Sequence, residues 1–224
     1  MKDTILTIYC LCDDFLKAMN YQDDPQSTLS SAEVMTVPLV AAVYFSGHLE
    51  NSYTCLHEHG YMPTQLSMSR FNRRLHALPG ELWYTLLGLL GEVFKQRNSR
   101  REYVIDSLPV PACDNIRMRR CRLFQGAEHR GYSASKRRFF YGLKVHLVIT
   151  GSGAPVDFVL TPGATSDISG FKLLDLDLPP GSTLHADRAY NDYAEEDCLE
   201  AAATNLQPLP RRTPSARCRH GWSS

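Results

Sequence analysis

A chain of 224 residues with 43% apolar and 21% charged residues is long enough for one or two globular domains. Its longest weakly polar stretch, residues 34–49, contains Pro38 and is too short for a membrane span, and the N-terminus lacks a secretory pattern. The net charge is zero, yet residues 95–144 hold thirteen basic and four acidic side chains, whereas residues 1–67 hold two and eight. Such an arginine-rich middle favours a nucleic-acid partner, and a solvated cationic surface is the alternative.

The seven cysteines form no regular framework, which predicts reduced thiols and a cytoplasmic protein without a membrane segment. Two short motifs, Cys10-x-Cys12 and His57-x-His59, lack the spacing and the matched second pair of a structural zinc site. We therefore expect no zinc at either motif.

Helical periodicity extends over residues 1–98, which we predict to be an all-helical, DNA-binding region. Ser30 and Glu33 have the sequence signature of a capping box at the start of one helix. Another helix is predicted from Glu81 to Phe94, after a Pro-Gly break.

A helix-turn-helix-like element is predicted near residues 60–78. Its apolar residues follow the spacing of one buried helical stripe: Phe71, Leu75 and Leu78. The opposite side carries Arg70, Arg73 and Arg74, which is the surface that a recognition helix offers to a DNA groove. An ordinary amphipathic helix with a solvated face fits the same pattern.

Near residues 98–101 the pattern changes from helical to alternating, which predicts a domain boundary. Strands are predicted at 103–107, 139–149, 156–160, 183–187 and 206–209, with helices near 166–174 and 192–203. Three antiparallel strands followed by helix-linked parallel strands describe a mixed α/β sheet of the ribonuclease H type with flanking helices. Alternate residues from Phe139 to Ile149 give the second strand one entirely apolar face.

Two of the predicted strands end at an aspartate, Asp106 and Asp187. In this strand order the first and fourth strands pair in parallel, so we expect the two carboxylates side by side. At about 4 Å they repel by roughly 4 kcal/mol at an effective dielectric near 20, and both stay ionised only around a cation such as Mg²⁺ or Mn²⁺. Two such ions activate an attacking oxygen and stabilise a leaving oxygen in phosphodiester exchange. The plain alternative is a turn residue and a helix cap.

Five sequence blocks occur in the order of a known family: VIDSLPVPACDNIR, GYSASKRRFFYGLKVHLVIT, PVDFVLTPGATSD, LPPGSTLHADRAYNDY and LQPLPRR. They resemble the DDE transposases of bacterial insertion sequences, closest to the insertion sequence 982 family. The resemblance implies a ribonuclease H-like core, a helical DNA-binding region, and cleavage and strand transfer at the ends of a mobile element. It also implies that Asp106 and Asp187 are the first two metal ligands, with two Mg²⁺ or Mn²⁺ ions in an intact member.

The third carboxylate of the family, a glutamate on a helix well beyond the last strand, has no evident counterpart. Three glutamates follow Asp187, and we expect them on the solvated side of the next helix: Glu195, Glu196 and Glu200. Residues 213–224 contain no acidic residue and do not resemble the family, which favours a truncated or frameshifted transposase. We therefore predict a helical region at 1–98, an incomplete catalytic core at 99–212 and a non-family tail at 213–224.

Basic side chains around the sheet are predicted DNA contacts, in addition to the three helix arginines: Arg117, Arg119, Arg120, Arg122, Lys136, Arg137, Arg138 and Lys144. Arginine makes charge-assisted and often bidentate contacts with phosphate. Tyr132, Phe139 and Phe140 have the chemistry to stack on bases, although core packing is favoured for the two phenylalanines. His146 is interpreted as structural, with a place next to the active site as the alternative. Ser166 or Asp167 is the predicted cap of the helix near 166–174.

Three functions are open at this point. The first is a DNA transposase that is inactive in this form. The second is a non-catalytic transposase remnant that binds DNA, and the third is a metal-dependent nuclease of the same fold. The expected partner is double-stranded DNA at terminal inverted repeats and target sites, with a possible homo-oligomer, in the bacterial cytoplasm and associated with the nucleoid.

Overall fold

The computed structural model describes residues 1–114, 122–124, 126–133, 136–187 and 205–208. The chain divides into two compact units, residues 1–86 and residues 87–224. Helices come first along the chain and strands follow, as the sequence predicts. The domain boundary near residue 98 stays a prediction.

The helices of the N-terminal region are α1 (Lys2–Ala18), α2 (Ser31–Tyr44), α3 (Leu49–Glu58), α4 (Met68–Ala77) and α5 (Gly80–Arg97). The predicted capping box begins α2. The Ser30 N–H donates to Glu33 Oε2 at 2.7 Å, and the Glu33 N–H donates to the Ser30 hydroxyl at 3.2 Å. No single helix in the described ranges is long and apolar enough to cross a membrane, although α2 and α3 together, bent by 110°, have that length and composition.

The predicted apolar stripe of α4 packs inward. Phe71 and Leu78 are buried and Leu75 is half-buried, and the Phe71 ring centroid lies 4.7 Å from that of Tyr53 on α3. Residues 59–67 connect α3 to α4, which is longer than the turn of about three to four residues in helix-turn-helix motifs. Recognition of DNA by this helix pair stays a prediction.

The α/β region contains β1 (Glu102–Asp114), β2 (Arg130–Ser133), β3 (Arg138–Thr150), β4 (Pro155–Pro162), α6 (Asp167–Phe171), β5 (Thr183–Ala186) and β6 (Asn205–Pro208). β3 is antiparallel to β1 on one side, and to β2 and β4 on the other. β5 pairs in parallel with β1, and β6 with β5. A central β1 between an antiparallel and a parallel half is the ribonuclease H-like topology that the sequence predicts, and β2 is an additional short strand that it does not.

One side of the sheet, the buried face, forms the core of this region. Its residues at β1, β3 and β5 are 0–1% exposed: Tyr103, Ile105, Val148 and Leu184. Phe94 of α5 and Phe171 of α6 pack against them. These contacts place the second half of α5 and the whole of α6 on this face, because both contribute aromatic side chains to the same cluster.

The other side, the open face, carries the predicted apolar face of β3. Its central residues are only half-buried: Leu143, Val145 and Leu147. Phe139 is 43% exposed, so the expectation that it packs in the core is wrong, whereas Phe140 is 3% exposed and that expectation is confirmed. The deeply buried side of β3 is instead the one with His146, because α6 packs there.

Candidate active site

Asp106 and Asp187 lie side by side at the point where β1 and β5 run in parallel. The last register pair between these strands is Ile105 with Ala186, and each aspartate is the next residue of its chain segment. Neighbouring strands are about 4.8 Å apart, and strand alternation assigns both aspartates to the open face. Both are exposed. The structure therefore brings together the two residues that the sequence singles out.

Backbone pairing on both sides fixes the position of Asp106. β1 is hydrogen-bonded to β3, with Asp106 opposite Leu147, and to β5 on its other edge. The Ser107 N–H also donates to Asp106 Oδ1 at 2.7 Å. A carboxylate on a central strand is held more rigidly than one on a loop, which favours a preorganised site.

The pair of carboxylates fits a hard divalent cation. Mg²⁺ and Mn²⁺ prefer oxygen ligands, and two exposed carboxylates leave room for water or phosphate oxygens to complete the coordination. Within the described ranges, no group of three or more His, Cys, Asp or Glu side chains is placed to hold a metal ion. The late glutamates Glu195, Glu196 and Glu200 lie outside the described residues.

A polar network lies on the buried face directly behind Asp106. The Ser107 hydroxyl donates to Asp167 Oδ1 at 2.7 Å, and Lys144 Nζ donates to the same oxygen at 3.1 Å and to the Thr165 carbonyl at 2.7 Å. The Lys144 and Asp167 side chains are 17% and 26% exposed. This network joins β1, β3 and the start of α6 next to the candidate site.

The sequence did not reveal this network. Of the two predicted cap residues, Ser166 caps α6, with its hydroxyl accepting the Ser169 N–H at 3.1 Å, and Asp167 is the first residue of the helix. The ammonium group of Lys144 pairs with Asp167, and its predicted contact with DNA stays a prediction. Residues this far apart in sequence meet only after the β3–β4 hairpin and α6 have packed, so spacing alone carries no signal.

Asp167→Ala is expected to destabilise the α/β region by about 2–4 kcal/mol. The substitution leaves the largely buried Lys144 ammonium without its counter-ion and the Ser107 hydroxyl without its acceptor. Asp167→Asn keeps an acceptor and should cost clearly less. Urea unfolding of the two variants measures the difference, and equal losses of stability would contradict the network.

His146 is fully buried beside this network. Its Nε2 lies 3.0 Å from Thr161 Oγ1, and its Nδ1 has no hydrogen-bond partner among the described residues. Burial lowers the pKa of His146, an effect that the Asp167 charge opposes and the Lys144 charge reinforces. The position agrees with the structural role inferred from the sequence.

Stability is expected to fall as the pH drops below about 6.5, the ordinary pKa of histidine in an unfolded chain. Below this pH the unfolded chain binds a proton at His146, whereas the folded chain binds one only near its lowered pKa. The stability that neutral His146 contributes is therefore fully present above about pH 6.5 and is lost as the pH falls towards the lowered pKa. Unfolding free energies of wild type and His146→Gln between about pH 5 and 7.5 test this. Burial raises the pKa of Asp157, which acts in the opposite direction at lower pH, so the difference between the two proteins is the informative quantity.

The predicted DNA-contacting residues fall into three groups. Those with exposed side chains are Arg70, Arg73, Arg122, Lys136, Arg137 and Arg138. Arg74 and Lys144 are half-buried and form ion pairs, with Asp23 at 2.6 Å and with Asp167 respectively. Those outside the described residues are Arg117, Arg119 and Arg120.

The ion pair of Arg74 belongs to the packing of the helical region. Asp23 accepts hydrogen bonds from the Ser31 backbone, the Ser31 hydroxyl and the Arg74 guanidinium. Burial alone would raise the pKa of Asp23, but the hydrogen bonds from Ser31 and the Arg74 charge bring it below its usual value. Arg74 therefore stabilises this region in addition to any contact with DNA.

The strand order, with a central β1 between an antiparallel and a parallel half, defines the class of this α/β region as a ribonuclease H-like fold. A family model described as a transposase DDE domain matches residues 97–213, just over half of the chain. The chain belongs to this family of DDE transposases. The match covers both Asp106 and Asp187.

Two solved structures are similar to the chain over part of their length. The Mos1 strand transfer complex has 13% sequence identity and a TM-score of 0.29, with 84% of this chain and 60% of that chain covered. The pre-cleavage Mos1 transpososome has 13% identity and a TM-score of 0.27, with 84% and 61% covered. The chain thus spans about three fifths of the Mos1 chains, and TM-scores this low add nothing to the family assignment. No curated protein matches the chain.

Proposed function

We propose that this chain is the transposase of a bacterial insertion sequence, of the insertion sequence 982 type, which acts on the terminal inverted repeats of its element and on target DNA. The observation that carries the proposal is the position of Asp106 on the central strand β1 beside Asp187, which directly follows the parallel strand β5, within the family domain. The five family blocks place the same two aspartates at the family's metal ligands.

Asp106 and Asp187 would hold Mg²⁺ or Mn²⁺, with two ions expected in an intact family member. When bound, the ions activate the attacking oxygen and neutralise charge on the leaving oxygen of a phosphodiester. The protein contributes the strands that fix the positions of the two carboxylates. Both carboxylates are exposed on the open face, where a DNA backbone can approach them. The Ser107–Asp167–Lys144 network supports β1 from behind.

Exposed basic residues at the start of β3 are proposed to contact the DNA backbone: Lys136, Arg137 and Arg138. If about six phosphates are neutralised in the complex, log K is expected to fall against log salt with a slope near −5. Replacement of these three residues by alanine removes up to three contacts and should flatten the slope by about 2–3. Fluorescence anisotropy with duplex DNA between about 50 and 200 mM salt measures both slopes. A wild-type slope flatter than about −2 would show that these basic residues do not contact the DNA backbone.

Strand transfer by this 224-residue chain alone is expected to be absent or very weak. The only glutamates after Asp187 are Glu195, Glu196 and Glu200, which directly follow β5 in sequence, unlike the third carboxylate of the family. The second candidate function is therefore DNA binding at transposon ends without cleavage. A metal-dependent nuclease of the same fold is the remaining alternative.

An assay on inverted-repeat DNA with Mn²⁺ separates the three functions. Joined products indicate a transposase, bound but uncut DNA indicates a binding protein, and cut but unjoined DNA without preference for repeat ends indicates a nuclease. Asp106→Asn is the matched control, since any metal-dependent product should disappear with it. We also propose a homo-oligomer and a location at the bacterial nucleoid, as expected for a protein that pairs two DNA ends.

A further inference from the structure

An exposed group of two aromatic rings and one arginine lies on the hairpin formed by β2 and the start of β3. Tyr132 and Phe139 are cross-strand partners, and their ring centroids are 5.0 Å apart. The guanidinium carbon of Arg130 lies 4.2 Å from the Phe139 ring centroid. Tyr132 is 54% and Phe139 is 43% exposed. We call these three residues the aromatic platform.

The platform is separate from the hydrophobic core. The core positions on this hairpin belong to Phe140 and Tyr141, which are 3% and 6% exposed. Gly131 is paired with Phe140, and a Cβ at Gly131 would overlap the Phe140 ring. The backbone of β2 therefore packs directly on the Phe140 ring. Arg130 and Tyr132 flank Gly131, so strand alternation assigns their side chains to the opposite side of β2. The rings stay exposed because the backbone is fixed by this close contact.

The hairpin that carries the platform is rich in positive charge, although Glu128 precedes Arg130 by two residues and Asp114 is the register partner of Phe140. Lys136, Arg137 and Arg138 are exposed on the same hairpin. The sequence contains no acidic residue between Glu128 and Asp157. Flat ring surface next to several positive charges matches a ligand that combines planar groups with phosphates, which is the composition of a nucleic acid.

Paired bases inside a duplex are stacked on each other, so their faces are accessible only where a base is unpaired. Stacking of an unpaired base on an exposed aromatic ring is tolerant of sequence, and basic side chains nearby hold the adjoining phosphates. We propose that the aromatic platform binds an unpaired base of the DNA substrate. The proposal rests on the function proposed above and adds to it a second point of contact.

The sheet also gives the spacing between this contact and the carboxylate pair. Leu147 of β3 is the partner of Asp106, and it lies eight residues from Phe139. At about 3.4 Å per residue this is about 27 Å along the strand. Since nucleotides repeat every 3.4 Å or so along one strand of DNA, the unpaired base would lie about eight nucleotides from the phosphodiester at Asp106.

The test uses the full chain and duplex DNA probes that differ in one feature. One probe carries a single unpaired 2-aminopurine about eight nucleotides from its end, and the other is fully paired. The variants are Tyr132→Ala with Phe139→Ala, and Tyr132→Trp as the conservative change. Leu173→Ala, which removes an apolar side chain of 62% exposure just after α6, is the control.

Wild type is expected to bind the unpaired probe more tightly than the paired one and to change its 2-aminopurine fluorescence. The double alanine variant should lose about tenfold or more in affinity for the unpaired probe and little for the paired one. Tyr132→Trp and Leu173→Ala should keep the wild-type preference for the unpaired probe. If the double variant does not fold, Tyr132→Ser alone replaces it in the test, because Tyr132 is exposed. An unchanged preference in the alanine variants overturns this inference and leaves the proposed function intact. Failure of wild type to bind either probe overturns both.

Discussion

Asp106→Asn is expected to remove the stabilisation that Mn²⁺ confers on the protein, while leaving the metal-free protein as stable as before or slightly more so. Loss of a residue that only orients a metal ligand lowers metal affinity about 10–100-fold, so loss of a ligand should lower it about 100-fold or more. Without metal, the substitution relieves repulsion between neighbouring carboxylates, worth up to about 1 kcal/mol in water. The opposite signs distinguish a metal ligand from a residue that supports the fold.

Urea unfolding with and without Mn²⁺ measures both effects. A ligand at about ten times its Kd stabilises a protein by roughly 1.4 kcal/mol, and wild type should gain about this amount. Asp106→Asn and Asp187→Asn should gain almost nothing. Asp175→Asn removes an exposed carboxylate of the same region and should respond like wild type. A normal Mn²⁺ response in either aspartate variant would exclude that residue from the site.

Gly91→Ala is expected to destabilise the α/β region by about 1–3 kcal/mol, although alanine favours helices. Gly91 lies in the second half of α5, and a Cβ there would overlap the backbone carbonyl oxygen of Val156 on β4. A backbone atom within a sheet has little freedom to yield, so α5 must shift away from the core. Phe94, one turn further on, would then lose its contact with the buried face.

Gly88→Ala on the same helix is the matched control. A Cβ at Gly88 meets nothing within 4 Å among the described residues. The effect of the substitution on stability should therefore reflect only the higher helix propensity of alanine. This change should stabilise the protein by up to about 1 kcal/mol. Urea unfolding of the two variants is expected to give shifts of opposite sign. If Gly91→Ala also stabilises the protein, the close packing of α5 on β4 is incorrect.

Much of the fold could be predicted because its strands are long and its turns are chemically distinct. β3 has thirteen residues, of which every second one from Phe139 to Ile149 is apolar, and the Gly-Ser-Gly turn before β4 includes Gly153 at a φ of +91°. Ser30 and Glu33 mark the start of α2 through side chains that satisfy its first backbone N–H groups. In these places, local sequence and tertiary structure favour the same conformation.

The remaining features depend on contacts between distant residues. β2 has only four residues, and its buried register partners, Phe140 and Tyr141, belong to β3, so its own sequence carries little strand signal. The alternation of β3 identifies two faces but does not show which one α6 covers. The aspartate pair could be predicted because each aspartate follows a short apolar strand segment, although β1 continues past Asp106 to Asp114 instead of ending there. The Ser107–Asp167–Lys144 network and the platform arginine Arg130 require the folded sheet. Side-chain pairing of this kind has no period in the sequence.

The most direct test of the central claim replaces the divalent ion by Fe²⁺ and maps where the metal cuts the polypeptide. With ascorbate and peroxide, bound iron generates radicals that cleave the backbone beside its ligands, and mass spectrometry identifies the cut positions. If Asp106 and Asp187 hold one metal site, cuts should occur near both residues in wild type and disappear from both in Asp106→Asn. Cuts near only one aspartate, or cuts near Asp187 that persist in Asp106→Asn, would contradict a shared site.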